Sequence, residues 1–403
     1  MKVFGGNGNS SKKTKTSAKP AGAERYTAPR TQAPAQSGRS VPPPPKKKHV
    51  GRGILIALLV IVAIALAGIL YWKITTRPPD IASPSLDPNS TVASAPPATA
   101  ANRYYSVLVV GEDQLQANTD TIMVARYDTL EKTANVISIP RDTVVNVDWK
   151  VKKINTVFYQ GGNGIESLLD EVEDIAGFRP NNYIVVKIDA FEKVIDALGG
   201  VRFDVPVDMD YGDYAMVNGK PYEFTINVNK GEQLLNGYDA LGVFRFRQNN
   251  NGTGYAGGDI ERLETQHALL KAIAQQAFQL KNVTKLYNIA QIVSENSKTD
   301  LSYGNLQWYA QEFLTMNMDN INFATMPTTG CWINGLTYVT INVDEWLTMV
   351  NEKLNPYDTP VTKEKVSILC QSAPEPTKHS LTPSLYFTTN GEKAYTNFYR
   401  NDK

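Results

Sequence analysis

The sequence has little histidine and little cysteine, which narrows the chemistry open to it. Three histidines occur in 403 residues, and one of them is His49 in a basic N-terminal stretch. A histidine-rich metal site or a Ser-His-Asp triad therefore has few residues to draw on. The two cysteines, Cys331 and Cys370, predict one disulfide in an oxidising compartment, with two free thiols as the alternative.

Acidic residues are almost missing from the first 52 positions. Twelve Lys or Arg stand there against Glu24 alone, a net charge of +11, so the remainder of this +1 chain carries −10. Residues 1–50 are rich in Gly, Ser, Ala, Pro and Lys, a composition typical of disorder. We expect this tail to lie against an anionic membrane surface rather than to bind nucleic acid.

Charge is absent from residues 53–72, GILIALLVIVAIALAGILYW. As a helix this stretch would span about 30 Å, the thickness of a bilayer core, with aromatic residues at one end and basic residues at the other. The pattern favours a single transmembrane helix over a buried core helix or a cleaved signal peptide. It predicts a cell-membrane protein with a cytoplasmic N-terminus. Residues 73–103, rich in Pro, Ser, Ala and Thr, are expected to form a stalk.

From residue 104 the sequence alternates between strand and helix patterns. YSVLVVG, TIMVARYD, ANVISIP, YIVVKID and VRFDVPV are typical of strands, and helical periodicity covers GIESLLDEVEDIAG, AFEKVIDALGG and much of 260–316. This order predicts a layered α/β/α domain over 104–357, outside the membrane. Residues 358–403 are expected to be a weakly structured extension of unknown role. We find no internal repeat and no helix-turn-helix pattern.

Two carboxylates flank the first strand connection. Asp113 follows one predicted strand and Asp120 precedes the next. Carboxylates delivered from one strand-end loop can hold a hard divalent cation, although Asp is also a common turn residue.

Two basic residues follow the predicted strand ISIP and the segment after it. Arg141, in ISIPRDT, could clamp a phosphate bidentately or form a solvated pair with Asp142. Lys153, in VKKINTVF, could supply a phosphate-binding charge or be an ordinary surface lysine.

The stretch FRFRQNNNGTGYAGGDIERLETQ, residues 244–266, adds more candidates. As a strand, FRFR would point Arg245 and Arg247 to the same side. As a helix, the segment after Gly258 would place Asp259, Arg262 and Gln266 on one face. A solvated strand edge and helix face is the simpler interpretation. Combined with the other strand-end residues, however, the set predicts a metal-assisted phosphate or pyrophosphate site.

In their order along the chain these segments resemble the LytR-CpsA-Psr family of bacterial wall-glycopolymer ligases. The resemblance covers about residues 104–355. It rests on VLVVGED, TDTIMVARYD, VISIPRDT, KKIN, VIDALGGVRFDVPVDM, LNGYDALGVFRFR, GDIERLETQ and INGLTYVTINVDEWLTMVNE. Each string alone is weak evidence, but the ordered set is specific.

The resemblance implies a mixed central sheet and a phosphotransferase. Its donor would be a glycopolymer, such as teichoic acid or capsular polysaccharide, on a polyprenyl-pyrophosphate lipid in the bilayer, and its acceptor would be peptidoglycan. The roles it implies are as follows: Asp113 and Asp120 bind Mg²⁺, Arg141, Arg245, Arg247 and Arg262 bind the pyrophosphate, Lys153 and Gln266 assist, and Asp259 orients or deprotonates the acceptor, with Arg141 also counted as catalytic.

The chain departs from the family pattern at two positions. Asn118 and Thr265 stand where the family usually has arginine, which puts efficiency or substrate choice in question more than reaction class. A lipid pyrophosphatase and a non-enzymatic wall scaffold are the alternatives. A transcriptional role is disfavoured, because the domain is acidic and is expected to lie outside the cell.

Overall fold

The computed structural model describes residues 63–64, 75–81, 103–113, 118–217, 220–256, 259–279, 282–372 and 384–398. The domain below belongs to the compact unit Ile64–Lys403. Within the described residues, we find no helix with the length and apolar character needed to cross a bilayer. The predicted tail 1–50 lies outside them, as does nearly all of the predicted span 53–72, so both stay predictions.

Strands and helices alternate along the domain. The strands are β1 (Tyr104–Asp113), β2 (Asn118–Asp128), β3 (Thr133–Ser138), β4 (Asn182–Lys187), β5 (Val201–Val205), β6 (Met209–Val217), β7 (Lys220–Val228), β8 (Gly231–Leu235), β9 (Ser297–Thr299), β10 (Ile321–Thr325), β11 (Thr328–Ile333), β12 (Leu336–Ile341), β13 (Leu369–Ser372) and β14 (Ser384–Thr388). The helices are α1 (Val157–Gln160), α2 (Ile165–Ala176), α3 (Ile188–Leu198), α4 (Gly237–Arg245), α5 (Asp259–Ala277), α6 (Val283–Asn296), α7 (Tyr303–Leu314) and α8 (Val343–Met349), the last continued by a π-helical turn, Val350–Leu354.

The central sheet has six strands in the order β10-β3-β2-β1-β4-β9. Strands β1, β2 and β3 pair antiparallel, as do β4 and β9, whereas β4 runs parallel to β1 and β10 runs parallel to β3. The expected mixed sheet is therefore confirmed. This topology brings the end of β1, the start of β2 and the end of β3 to one edge of the sheet.

Alternation along the strands builds a layer of helices on each face of the sheet. Leu108 and Val110 of β1 face a core that includes Leu168 of α2 and Trp346 of α8, while Tyr105 and Val107 face the opposite side. That second core is completed by residues of α6 and α7, among them Ala290, Leu306 and Tyr309. Because successive strand residues point to opposite faces, one strand serves both cores. The three-layer α/β/α prediction is confirmed.

A smaller module stands beside the main sheet. It contains the pair β5–β8, the hairpin β6–β7, and helices α3 and α4. Strand β5 alternates strictly, with Val201, Phe203 and Val205 buried against a cluster that includes Leu241 of α4 and Leu269 of α5. Packing on this module fixes the ends of α4 and α5 that carry candidate site residues.

Residues 75–81, which the sequence places in the stalk, contact the domain. Asn305 Nδ2 of α7 donates a 3.1 Å hydrogen bond to the Arg77 carbonyl. Ile81 packs against the core that contains Leu306 and Tyr309. Gly304 permits this approach, because a Cβ there would overlap the Thr75 carbonyl oxygen. This part of the chain is therefore held on α7.

The chain after residue 357 also takes part in the fold. Val361, Val366 and Ile368 belong to the core between the sheet and α2, so this segment is more structured than the sequence suggests. Cys331 is a buried free thiol, and burial raises its pKa to about 11. The predicted disulfide with Cys370 is therefore wrong: Cys331 instead packs in an apolar cluster with Tyr338 and Leu369.

Candidate functional site

The two predicted metal ligands lie on neighbouring strands at one edge of the sheet. Asp113 ends β1 opposite Asn118 of β2, and Asp120 follows two residues later on β2. The register shifts after Gly111, so that Glu112 pairs with Thr119 and Asp120 lies at an irregularity. The side chains of both aspartates and the loop 114–117 fall outside the described residues.

Hydrogen bonds join Arg141 to this edge. The buried Thr119 hydroxyl lies 3.3 Å from the Asn155 carbonyl oxygen, to which it donates. The backbone N–H of Asn155 in turn donates a 3.2 Å hydrogen bond to the Arg141 carbonyl oxygen. Arg141 follows β3 and Pro140, and its side chain is half-buried. The start of β2, the residue after the β3 exit and the segment around Asn155 therefore form one structural unit.

Lys153 belongs to the same unit through Asp142. Its Nζ lies 2.7 Å from Asp142 Oδ1 and 5.2 Å from the centre of the Tyr338 ring. The Arg141 guanidinium is farther from Asp142, with 3.9 Å between Nε and Oδ2. The sequence allowed an Arg141–Asp142 pair; the structure makes Lys153 the closer cation. A positive charge beside a half-buried carboxylate is held in one place rather than left to move in solvent.

The prediction of a strand at FRFR is wrong. Residues Gly237–Arg245 form helix α4, capped by Asn236, whose side chain accepts a 2.8 Å hydrogen bond from the Asp239 amide. Arg245 is the last residue of α4, and its guanidinium carbon lies 4.7 Å from the centre of the Phe224 ring. Arg247 is exposed in the following loop. The two arginines are therefore not aligned by strand alternation.

Helix α5 carries the next group, as predicted from its spacing. It begins at Asp259, whose side chain is not among those described, and includes Arg262 and Gln266. Arg262 is 6% exposed. Gln266 Nε2 donates a 2.7 Å hydrogen bond to the Phe244 carbonyl in the last turn of α4. Gln266 therefore fixes the position of the neighbouring Arg245.

The Asn/Gly-rich loop between these helices is held in place over residues 247–256. Asn249 Oδ1 accepts from the Asp210 amide at 2.7 Å, and Asn250 Nδ2 donates to the Gly212 carbonyl at 3.3 Å, both on β6. Tyr255 packs its ring on buried Phe246 at 5.4 Å. Burial raises the pKa of Tyr255, and nearby Thr265 and Arg262 partly offset that rise. The loop is thus an ordered part of the small module.

His267 connects α5 to the sheet edge, and no local sequence pattern indicates this role. Its Nε2 lies 2.8 Å from Ser138 Oγ at the end of β3, and its ring stacks on Phe323 at 5.6 Å. Burial lowers the pKa of His267, which favours the neutral ring. Gln266 precedes His267 and Arg141 lies three residues after Ser138. The α4–α5 group and the sheet-edge group are therefore linked by one contact.

One further feature bears on whether a cation fits at the sheet edge. Asn155 Oδ1 is buried and has no hydrogen-bond partner among the described residues. A carboxamide oxygen is a hard ligand of the type that Mg²⁺ accepts. Among the described side chains, no cluster of three or more His, Cys, Asp or Glu residues could hold a metal ion. The side chains of Asp113 and Asp120 are not among those described. Asn155 Oδ1 is therefore one oxygen donor of the type that suits Mg²⁺ in this part of the domain.

Most of this domain matches a known protein family. The model of the LytR_cpsA_psr family matches residues 80–355. The chain belongs to the LytR-CpsA-Psr family. The match includes every candidate site residue named above, from Asp113 to Gln266, and it ends before the C-terminal segment.

Relatives of this LytR-CpsA-Psr protein include named transferases. It is 25% identical over 316 residues to the polyisoprenyl-teichoic acid–peptidoglycan teichoic acid transferase TagU of Enterococcus faecalis, covering 75% of this chain and 95% of that protein. It is 28% identical over 229 residues to an uncharacterized protein of Staphylococcus aureus, covering 57% of this chain and 53% of that protein. The chain therefore spans about half the length of this second relative. The crystal structure of Bacillus subtilis TagV is similar, with a TM-score of 0.51 and 25% identity over 64% of this chain and 99% of that one.

Proposed function

We propose that this protein is a phosphotransferase that moves a glycopolymer from a polyprenyl-pyrophosphate lipid to peptidoglycan. Two cations beside the start of β2, and the contact that joins them to a helix pair with two more, support the proposal. Arg141 and Lys153 stand beside the β2 start, and the contact between His267 and Ser138 links them to the helix pair that bears Arg245 and Arg262. A pyrophosphate carries several negative charges, and fixed guanidinium groups are suited to bind it.

The rigidity of these cations supports catalysis rather than binding alone. Lys153 is held by Asp142 at 2.7 Å, and the Gln266 bond to the Phe244 carbonyl restrains Arg245. Charges that are already in position when a phosphoryl group is transferred need no reorganisation in the transition state. We expect Arg141, Arg245 and Arg262 to contact the phosphates, Arg247 to contact them from the exposed loop, and Lys153 to assist.

The reaction requires one bond to form and one to break. The acceptor hydroxyl of peptidoglycan attacks the phosphorus that bears the glycopolymer, and the bond from that phosphorus to the bridging oxygen breaks. The products are a phosphodiester on peptidoglycan and polyprenyl phosphate. Asp259 at the start of α5 is the proposed base that takes the hydroxyl proton.

A divalent cation completes the proposed site. Asp113 and Asp120 would hold Mg²⁺, with the Asn155 carboxamide oxygen as a nearby neutral donor. When bound, the ion would neutralise part of the negative charge that develops on the leaving lipid phosphate. The chain's own contribution is to gather these oxygen donors at the end of β1 and the start of β2.

The names of relatives support a substrate class. The Enterococcus faecalis relative is named for transfer of polyisoprenyl-linked teichoic acid to peptidoglycan. We propose the same class of donor and acceptor here, with teichoic acid, capsular or a similar secondary polymer as the cargo. The apolar run 53–72 would anchor the enzyme beside its lipid donor, with the catalytic domain outside the membrane.

A transfer assay separates this proposal from its alternatives. Purified protein is mixed with Mg²⁺, labelled polymer on a polyprenyl-pyrophosphate lipid, and isolated peptidoglycan. We expect label bound covalently to peptidoglycan and an equal amount of polyprenyl phosphate. Release of labelled polymer into solution, with none on peptidoglycan, would indicate a pyrophosphatase. No turnover, together with cellular function that survives Arg245→Ala and Arg247→Ala, would indicate a scaffold.

A further inference from the structure

The C-terminal segment lies beside the candidate site although it is outside the residues that match the family. We call residues 384–398 the C-terminal strap. Its first part, β14, pairs with β13, and the Thr389 amide donates to the Ile368 carbonyl at 2.9 Å. Ile368 belongs to the main core. The strap is therefore fixed at one end to the body of the domain.

The last part of the strap crosses the loop that precedes Lys153. The Tyr395 amide donates to Asn146 Oδ1 at 2.9 Å, and Asn397 Nδ2 donates to the Asp148 carbonyl at 2.6 Å. Ala394 is buried in the same apolar cluster as Cys331. These bonds hold the last part of the strap on the loop 146–149.

Lys152 is the residue that the strap covers. It is 0% exposed, and its Nζ donates to the Val147 carbonyl and, at 2.9 Å, to the Trp149 carbonyl. The Tyr395 and Phe398 rings each lie 5.5 Å from this ammonium group. Ring faces attract cations, and this attraction offsets part of the cost of removing the charge from water. Burial still lowers the pKa of Lys152 to about 8.

The next residue, Lys153, is linked to the strap through the Tyr338 ring. Phe398 meets Tyr338 at 6.1 Å with the rings perpendicular, and Tyr338 is the ring that flanks the Lys153 ammonium group. Backbone hydrogen bonds on either side of Lys153 add to this link. The Val145 amide donates to the Lys152 carbonyl at 3.1 Å, and the Ile154 amide donates to the Thr143 carbonyl at 2.9 Å. A shift of Lys152 would therefore move Lys153 relative to Arg141 and Asp142.

We propose that Tyr395, Asn397 and Phe398 are positioning residues that hold Lys153 and its partner Asp142 in the orientation that receives the donor pyrophosphate. This inference rests on the proposed function, in which Lys153 assists pyrophosphate binding. It gives the C-terminal segment a role in the donor site without contact with the donor. The alternative is a strap that covers an apolar surface and contributes only to folding stability.

Donor affinity tests this inference without requiring turnover. Farnesyl pyrophosphate with Mg²⁺ is titrated into wild-type protein, the double variant Tyr395→Ala, Phe398→Ala, and the control Thr396→Ala at an exposed position in the same strap. We expect the double variant to bind about tenfold more weakly and the control to bind as wild type does. Tyr395→Phe, which keeps the ring, should bind as wild type does.

A double-mutant cycle with Lys153→Ala separates positioning from stability. If the strap acts through Lys153, the strap substitutions should weaken binding in the Lys153 background but have little further effect in the Lys153→Ala background. Hydrogen exchange should quicken at the amides of Val145, Ile154 and Asn155. Faster exchange with unchanged affinity, or equal losses of affinity in both backgrounds, would overturn the inference. Wild-type protein that binds the probe but transfers nothing would contradict the proposed reaction, and the affinity ratios would still decide the role of the strap.

Discussion

Gln266 on α5 donates a 2.7 Å hydrogen bond to the carbonyl of Phe244, the residue before Arg245. The bond joins the two helices that carry the Arg245 and Arg262 side chains. The Gln266 side chain therefore has a structural role, because its amide holds the last turn of α4 in place. The position of Arg245 therefore depends on a residue 21 places later in the chain.

Replacing Gln266 by Glu should weaken donor binding with little change in fold. A carboxylate of the same shape cannot donate to the Phe244 carbonyl at neutral pH and would cost about 1 kcal/mol of stability. We expect a KM for the lipid donor several-fold above wild type, measured in the transfer assay. Gln275→Glu, at an exposed position of the same helix, is the control. Equal KM values for both variants would show that the bond does not position Arg245.

Replacing Asn155 by Ala should lower the affinity of the enzyme for Mg²⁺. The substitution keeps the backbone amide that donates to Arg141 and removes the buried, unpartnered Oδ1. Residues that support a metal ligand set typically contribute about tenfold or more to metal affinity. We therefore expect half-maximal activity at about tenfold higher Mg²⁺, measured by titration after chelation. The exposed Asn163→Ala should match wild type, and an unshifted Asn155→Ala curve would exclude Asn155 from the metal site.

Replacing Gly304 by Ala should release residues 75–81 from α7. A methyl group at this position would overlap the Thr75 carbonyl oxygen, and such overpacking typically costs about 1–3 kcal/mol. Hydrogen exchange and limited proteolysis should show faster opening of 75–81, with the sheet unaffected. Gly330→Ala is the matched control, because no atom lies within 4 Å of a Cβ there. Unchanged protection of 75–81 in Gly304→Ala would contradict the docking.

Stability should fall as pH rises from the ordinary pKa of a glutamate carboxyl group toward about 8, the pKa of Glu171 in the folded protein. Burial raises the pKa of Glu171 to about 8, with neighbouring Asp174 and Asp170 adding to the rise. Between its ordinary pKa and that value the folded state binds the proton and the unfolded state does not, so each pH unit costs up to about 1.4 kcal/mol. Glu171→Gln should therefore raise the melting temperature at pH 8 more than at pH 5.

Thermal unfolding from pH 5 to 8 measures that difference. The exposed Glu232→Gln provides the comparison, since Glu232 lies on strand β8 away from α2. A Glu171→Gln gain that is the same at both pH values would show that Glu171 is ionised in the folded protein throughout this range.

The central sheet could be predicted because its strands have a local sequence signal, the alternation of apolar residues. In β1, alternating Tyr105, Val107 and Leu108, Val110 supply both cores, and Asp113 marks the strand end. Helix α5 followed from the i, i+3, i+7 spacing of its polar residues. The strand prediction at FRFR is wrong because four alternating residues are too few to distinguish a strand from the end of a helix. The deciding signals lay upstream, in the Asn236 cap and in the burial of Leu241 and Val243.

Other features of the site depend on contacts between distant parts of the chain. The bond between Ser138 and His267 joins positions 129 residues apart, and no local pattern indicates it. The same holds for Lys152, which reads as a surface lysine until Tyr395 and Phe398 cover it. Cys331 belongs here too, because its burial beside Leu369 is decided by tertiary packing.

A crystal structure of the domain, residues 75–403, with a polyprenyl pyrophosphate and Mg²⁺ would show directly where the donor phosphates bind. We expect the phosphates to lie within hydrogen-bond distance of the Arg141, Arg245 and Arg262 guanidinium groups, with the metal ion at Asp113 and Asp120. Phosphates bound elsewhere on the domain, with these arginines unchanged and unliganded, would contradict this expectation.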